Sequence, residues 1–267
     1  MELEAAMEHL KSLSRGAKQQ REIEARKGGV LIISLLFFAT LYATAWFFIF
    51  RSWSKHKRCR AASSSISFAH ALVGASLAMA DMVSSPWTLD APNTAFQNRI
   101  MEWSMAYFIV DLFHYFLAVP EDHLFIAHHL ATLTYMISCR YYTLHGAKSV
   151  MSLIAAGEAT TPLQAIWTLA RLAKDEFPVA ERVYTALSPT FTLLFTIVRG
   201  MLGPFLLGKL ASFYLWGRAD TVIPRWLAWF WVFEVSFAVV GSMIWVFRLW
   251  RGLFKLNSQR SGFWKSD

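Results

Sequence analysis

Apolar residues in this chain fall into continuous runs separated by short polar connectors. The clearest run is Gly29 to Phe50, and others follow at Ile66 to Val83, Ser104 to Val119, Leu124 to Tyr142, Ser149 to Arg171, Leu187 to Leu210 and Pro224 to Trp250. A hydrocarbon layer is crossed by roughly 20 apolar residues of helix, so the pattern predicts about seven transmembrane helices. The runs do not alternate with period two, which excludes the strands of a membrane barrel. No internal repeat is evident, and the connectors are too short for a second domain. The expected fold class is therefore an all-α integral membrane protein, with a polar segment over 1–28, a first transmembrane anchor over 29–50, a helical domain over 65–250 and a basic tail over 251–267.

Composition supports the membrane reading, since 55% hydrophobic and 16% aromatic side chains in 267 residues exceed what a soluble domain usually buries. Trp46, Trp53, Trp87, Trp103, Tyr141, Tyr142, Trp226 and Trp250 fall near the ends of runs, where an amphipathic ring gains most from the headgroup zone. The first 28 residues are charged, and the run after them is too long for a signal peptide, so a retained anchor is expected. Leu3, Met7 and Leu10 recur at helical spacing, which leaves an amphipathic surface helix and a solvated tail both open. The net charge of +8 concentrates at Arg51 to Arg60 and Arg248 to Lys265. Such juxtamembrane clusters suit anionic lipid headgroups, and nucleic acid is not an expected partner. Lys and Arg nearly balance across the two faces, but the two dense clusters share one face and predict a cytosolic C-terminus. Cys59, in a basic connector, and Cys139, inside a run, imply no disulfide framework.

Candidate chemistry lies in what does not belong in hydrocarbon. An ionisable side chain near the bilayer centre costs on the order of 3 kcal/mol and needs a partner, a cavity or a task. The runs contain His70, Asp81, Asp111, His114, His128, His129, Glu158, Arg199 and Glu234. Asp111 and His114 share a helix face with Tyr107 and Tyr115. The short connector at Pro120 to His123 makes the third and fourth helices antiparallel neighbours, and counting outward sets His114 level with His128 and His129, and Asp111 level with Thr132. The adjacent histidines point about 100° apart, so one meets a substrate while the other orients or packs. Glu158, Thr161 and Gln164 share a side of the fifth helix, which Pro162 loosens beside a cavity. Arg199 is expected to face inward and pair with Glu158, with Glu234 or Asp111 in reserve. His70, Asp81 and Glu234 read as structural or interfacial, the two acids having no obvious local partner. Polar groups that merely join helices are the competing account of the whole set. A di-iron lipid oxidase fails for want of histidine clusters, and no metal is expected.

The segments MAYFIVDLFHYF, FIAHHLATLTYM and GEATTPLQAIWTLAR, between Met105 and Arg171, resemble the TLC-domain family of lipid-related membrane proteins, which includes the ceramide synthases. The resemblance spans about Ser65 to Trp250, is strongest for the smaller transmembrane members outside the synthase branch, and extends to Arg199. It implies a bundle enclosing a polar, lipid-accessible cavity with the histidine pair near its centre. It further implies a role in membrane lipid homeostasis through binding an acyl lipid, membrane lipids and a lipid-metabolising protein as partners, no cofactor, and residence in the endoplasmic reticulum. The alternative is an acyltransferase using His128 or His129 on acyl-CoA, with Asp111, His114, Thr132, Glu158, Thr161, Gln164 and Arg199 around the cavity. The chain departs from the synthases at Ala155-Ala156-Gly157-Glu158, where they carry His-Asp followed by another Asp, and from the smaller members at Gln164, where Asn is expected.

Overall fold

A computed structural model describes residues 29–263, and side-chain surroundings as far as residue 258. The 1–28 segment and the end of the basic tail, including Lys265, lie outside the described residues, and so does the question of an amphipathic leader. Among the described residues there is no strand, and Pro92 and His145 form an isolated bridge between two loops.

The helices are α1 Gly29–Ile49, α2 Lys55–Ser84, α3 Ala95–Ala118, α4 His123–Ile137 with a π-wound continuation Ser138–Thr143, α5 Ala147–Glu158, α6 Thr161–Ala173, α7 Pro178–Leu215 and α8 Arg225–Phe263. Four stretches, α1, α2, α7 and Arg225–Ser258 of α8, are long and apolar enough to cross a membrane by themselves, which makes this a multi-pass membrane protein. The intervening helices carry more polar side chains and turn them inward: Asn98, Glu102, Asp111 and His114 of α3 are all buried.

Three sequence expectations change. The fifth apolar run is two helices, because the chain turns at Ala159 and Thr160 and restarts with Pro162 in the first turn of α6, where its missing N–H breaks no helical bond. The basic residues from Lys55 to Arg60 form the first turns of α2 rather than a connector, and Cys59 is buried there. Asp81 has a partner after all. It accepts from Lys148 Nζ at 2.9 Å and from Gln97 Nε2 at 3.2 Å. Both ions of this pair, and of Arg140 with Glu102 at 2.6 Å, are almost wholly buried. They join α2 to α5 and α3 to the end of α4, all at one end of the bundle.

Packing closes α2, α3, α4, α8, α7 and the α5/α6 pair into a ring, with α1 outside it against α3. Small residues let α2 approach closely: Ala61, Ala62, Ala71 and Ala78 are buried, and a methyl group on Gly74 would sit 3.6 Å from the Trp103 ring of α3. At the end of the ring where α4 meets α5, Gly146 has φ +91°, and a Cβ there would lie 2.9 Å from Trp231. Only glycine meets both demands.

Candidate functional site

Asp111 is the hub of the ring's interior. It accepts from Ser63 Oγ of α2 at 2.7 Å and from Tyr107 OH, one turn earlier on α3, at 3.3 Å. His129 Nε2 of α4 lies 3.0 Å from its Oδ2. The other ring nitrogen, His129 Nδ1, lies 2.8 Å from the Phe125 carbonyl oxygen. A carbonyl can only accept, so Nδ1 carries a proton. A further proton must then lie between Nε2 and the carboxyl, and the pair is neutral as a unit wherever that proton rests.

The histidine pair therefore divides its work. His129 is buried with both nitrogens engaged, whereas the His128 ring makes no hydrogen bond among the described residues. His128 lines a cavity of about 660 Å³ and two smaller ones of about 120 and 90 Å³. Arg199 lines the same three. These two side chains stand where the spaces meet.

Arg199 lies in a π-wound stretch of α7, Thr196–Leu202, closed by the Gly203 N–H bonding back to the Val198 carbonyl. Pro204 follows, and in a regular helix its ring would press on the carbonyl four residues earlier, so the wider winding relieves that contact. The guanidinium rests on Gly157, its Cζ 3.8 Å from where a Cβ would be. The expected Arg199–Glu158 ion pair is not formed, nor one with Glu234 or Asp111, and Arg199 Nε is buried without a partner. Gly157 gives the guanidinium room beside Glu158 without bringing the two groups together. Glu158 instead lies 3.9 Å from His70 Nδ1.

The remaining candidates divide as follows. Glu158, Thr161 and Gln164 all line the large cavity, although the break at Ala159 and Thr160 puts Glu158 on α5 and the other two on α6, so the single shared helix face expected from the sequence does not exist. Thr132 lines the 120 Å³ slot but spends its hydroxyl on the His128 carbonyl, at 2.8 Å. His114 borders the large cavity, yet its Nδ1 bonds to Tyr42 OH of α1 at 2.8 Å. The counted register is off by about one turn, with Asp111 opposite His129 and not Thr132, because α3 already ends at Ala118 and the turn is centred earlier than Pro120 to His123. Ser63 escaped the sequence reading, although Ser63, Ser64 and Ser67 crowd one stretch of α2 and all face the cavity. Arg60 and Arg248, read from the sequence as headgroup-facing charges, and Arg171 also line the same cavity, without an ion pair among the described residues.

The helices alternate in direction except that α5 and α6 run end to end along α2, so the start of α2, the α3–α4 turn, the end of α6 and the C-terminal half of α8 share one face, and the 2.7 Å bond between Lys57 and Glu176 ties two of them there. The large cavity is lined by Arg60, Glu121, His123, Arg171 and Leu256 toward that basic face. Fold and site together define an integral membrane ring of helices around a His-, Asp- and Arg-lined interior cavity with a basic mouth.

The chain belongs to the TLC-domain family: the family model for the TLC domain matches residues 60–251. A TLC domain-containing protein of Arabidopsis thaliana is 42% identical over 220 residues, covering 81% of this chain and 87% of that protein. Membership fits a membrane lipid-related role.

Proposed function

We propose that this protein holds an acyl lipid inside its helical ring, with the polar head among the arginines and His128 and the tail in the apolar slot, and that it serves membrane lipid homeostasis in this way. The observation that carries the reading is the junction at His128 and Arg199, where a polar cavity of about 660 Å³ meets a slot lined mainly by apolar side chains. An amphiphile matches that change of character, since a ligand site needs a few convergent polar groups set in apolar walls. The endoplasmic reticulum as location and a lipid-metabolising partner protein belong to the same proposal.

The test is native mass spectrometry of protein purified in mild detergent, beside Arg199→Leu and His128→Ala. Wild type should carry acyl lipid. Arg199→Leu should stay folded and lose most of it, because among the described residues the guanidinium makes no hydrogen bond or ion pair and its one close partner, the Phe195 ring 5.8 Å away, packs equally well against leucine. Wild type free of lipid would overturn the reading.

A second reading, acyl transfer, is favoured by the open ring of His128. A neutral imidazole there would take the proton of an alcohol or amine as that group attacks an acyl-CoA thioester, the C–S bond breaking and the thiol leaving with a proton. Purified protein given acyl-CoA and long-chain alcohol or base should then release thiol in wild type and not in His128→Ala. Unchanged acyl-CoA leaves lipid binding as the function.

A further inference from the structure

A buried acid stands in the wall of the 120 Å³ slot. Glu234 of α8 is 5% exposed and lines the slot, and its carboxyl has no hydrogen bond or ion pair among the described residues, with Oε2 wholly enclosed. Around it the walls are Met136, Val150, Leu153, Ile154, Leu206 and Val235.

Arg199 is too far away to serve it. Gly203 of α7 faces Val239 of α8, and α7 and α8 run antiparallel. At about 1.5 Å rise per residue, Glu234 lies roughly 13 Å from Arg199 along the bundle. The two polar groups therefore line the same slot at well-separated levels. A carboxyl left unpartnered in apolar surroundings is costly whether ionised or protonated, and Leu or Met would fill the place without that cost. Among the described residues no protein group answers it, which leaves a ligand to do so.

We propose that the slot receives the tail of the bound lipid and that Glu234 hydrogen-bonds a hydroxyl carried within that tail, so that the ligand class is a hydroxylated acyl or long-chain lipid. This rests on the lipid-binding reading above. A hydroxyl complements the carboxyl in either protonation state, since it donates to a carboxylate and both donates to and accepts from a protonated acid. A cationic amine fits worse, because an ammonium brings three donors and the walls nearest Glu234 are mainly apolar, so most of them would go unanswered. A plain alkyl chain would leave the carboxyl as unpartnered as it is without ligand.

Native mass spectrometry of the full chain, offered equal amounts of stearate and a mid-chain hydroxystearate, tests this. Wild type should favour the hydroxylated chain by about tenfold, as one buried hydrogen bond to a carboxyl suggests. Glu234→Leu should remain folded, bind both chains and lose the preference. Glu234→Gln should keep part of it, because an amide both donates and accepts, and it guards against a folding defect in the leucine variant. Equal binding of the two chains by wild type would overturn the hydroxyl inference alone, as would a preference that survives in folded Glu234→Leu. Binding of neither chain would overturn this inference together with the lipid-binding reading beneath it.

Discussion

Two adjacent histidines in one helix end in different chemical situations because neighbours one residue apart cannot face the same group. His129 is held between Asp111 and the Phe125 carbonyl, and its removal strands a buried carboxyl. His129→Ala and Asp111→Asn should each lower stability by about 3 kcal/mol, the scale for breaking a buried charged pair. His128→Ala removes no hydrogen bond and should shift stability by less than about 1 kcal/mol while reducing retained lipid. Thermal unfolding followed by tryptophan fluorescence, with bound lipid weighed on the same samples, separates the two. Equal destabilisation by both histidine variants would contradict the division of labour. That one of the pair would orient and the other meet a ligand was legible from helical geometry. Which one does which was not, because it depends on how far α4 is rotated against α3, and that rotation is set by packing.

At the scale of elements, the ends of the ring are held differently from its middle. The Asp81–Lys148 pair joins α2 to α5 with both ions almost wholly buried, so Lys148→Met should cost about 3 to 5 kcal/mol through the carboxylate left behind. Adding Asp81→Asn should recover a good part of that loss in the same unfolding assay. A double variant no more stable than the single one would show that the lysine acts through its packing alone. The hydropathy of the sequence conceals this pair: Asp81 and Lys148 stand far apart in the chain near two helix ends, and each alone looks like an interfacial charge. The break between α5 and α6 was half legible, since Pro162 announces a disturbance without saying whether the helix bends or stops. In α7 the π-wound stretch carries Arg199 to the meeting point of three cavities. A guanidinium there without an ion pair among the described residues was not foreseeable, because a charge inside a bundle is ordinarily expected to find an acid.

Apart from the α5/α6 pair, the whole molecule has alternating helices, and the basic side chains at Arg51, Lys55, Lys57, Arg58, Arg60, Arg248 and Arg251 gather on the face where the large cavity opens. The positive-inside rule predicts that this face is cytosolic. Glycosylation acceptors placed in the loops at 85–94 and 216–224 should be modified in microsomes, and acceptors at the C-terminus should not. Modification of the C-terminal acceptor would reverse the orientation and turn the cavity mouth to the lumen.

The sequence by itself determined that the chain is a helical membrane protein, where most helices lie, and that a small set of ionisable residues gathers in its interior. Those properties follow from local hydropathy, helical period and the penalty for lone charges in hydrocarbon, which a linear string carries in full. Only the tertiary structure decided that Asp111 meets His129, that Asp81 meets Lys148, that Arg199 and Glu234 find no ion-pair partner among the described residues, and that His128 lines the small cavities as well as the larger one. Each of these depends on the rotation and axial offset of one helix against another. A shift of one turn, about 5.4 Å, exchanges every cross-helix partner while leaving the hydropathy pattern unchanged, so only packing selects among them.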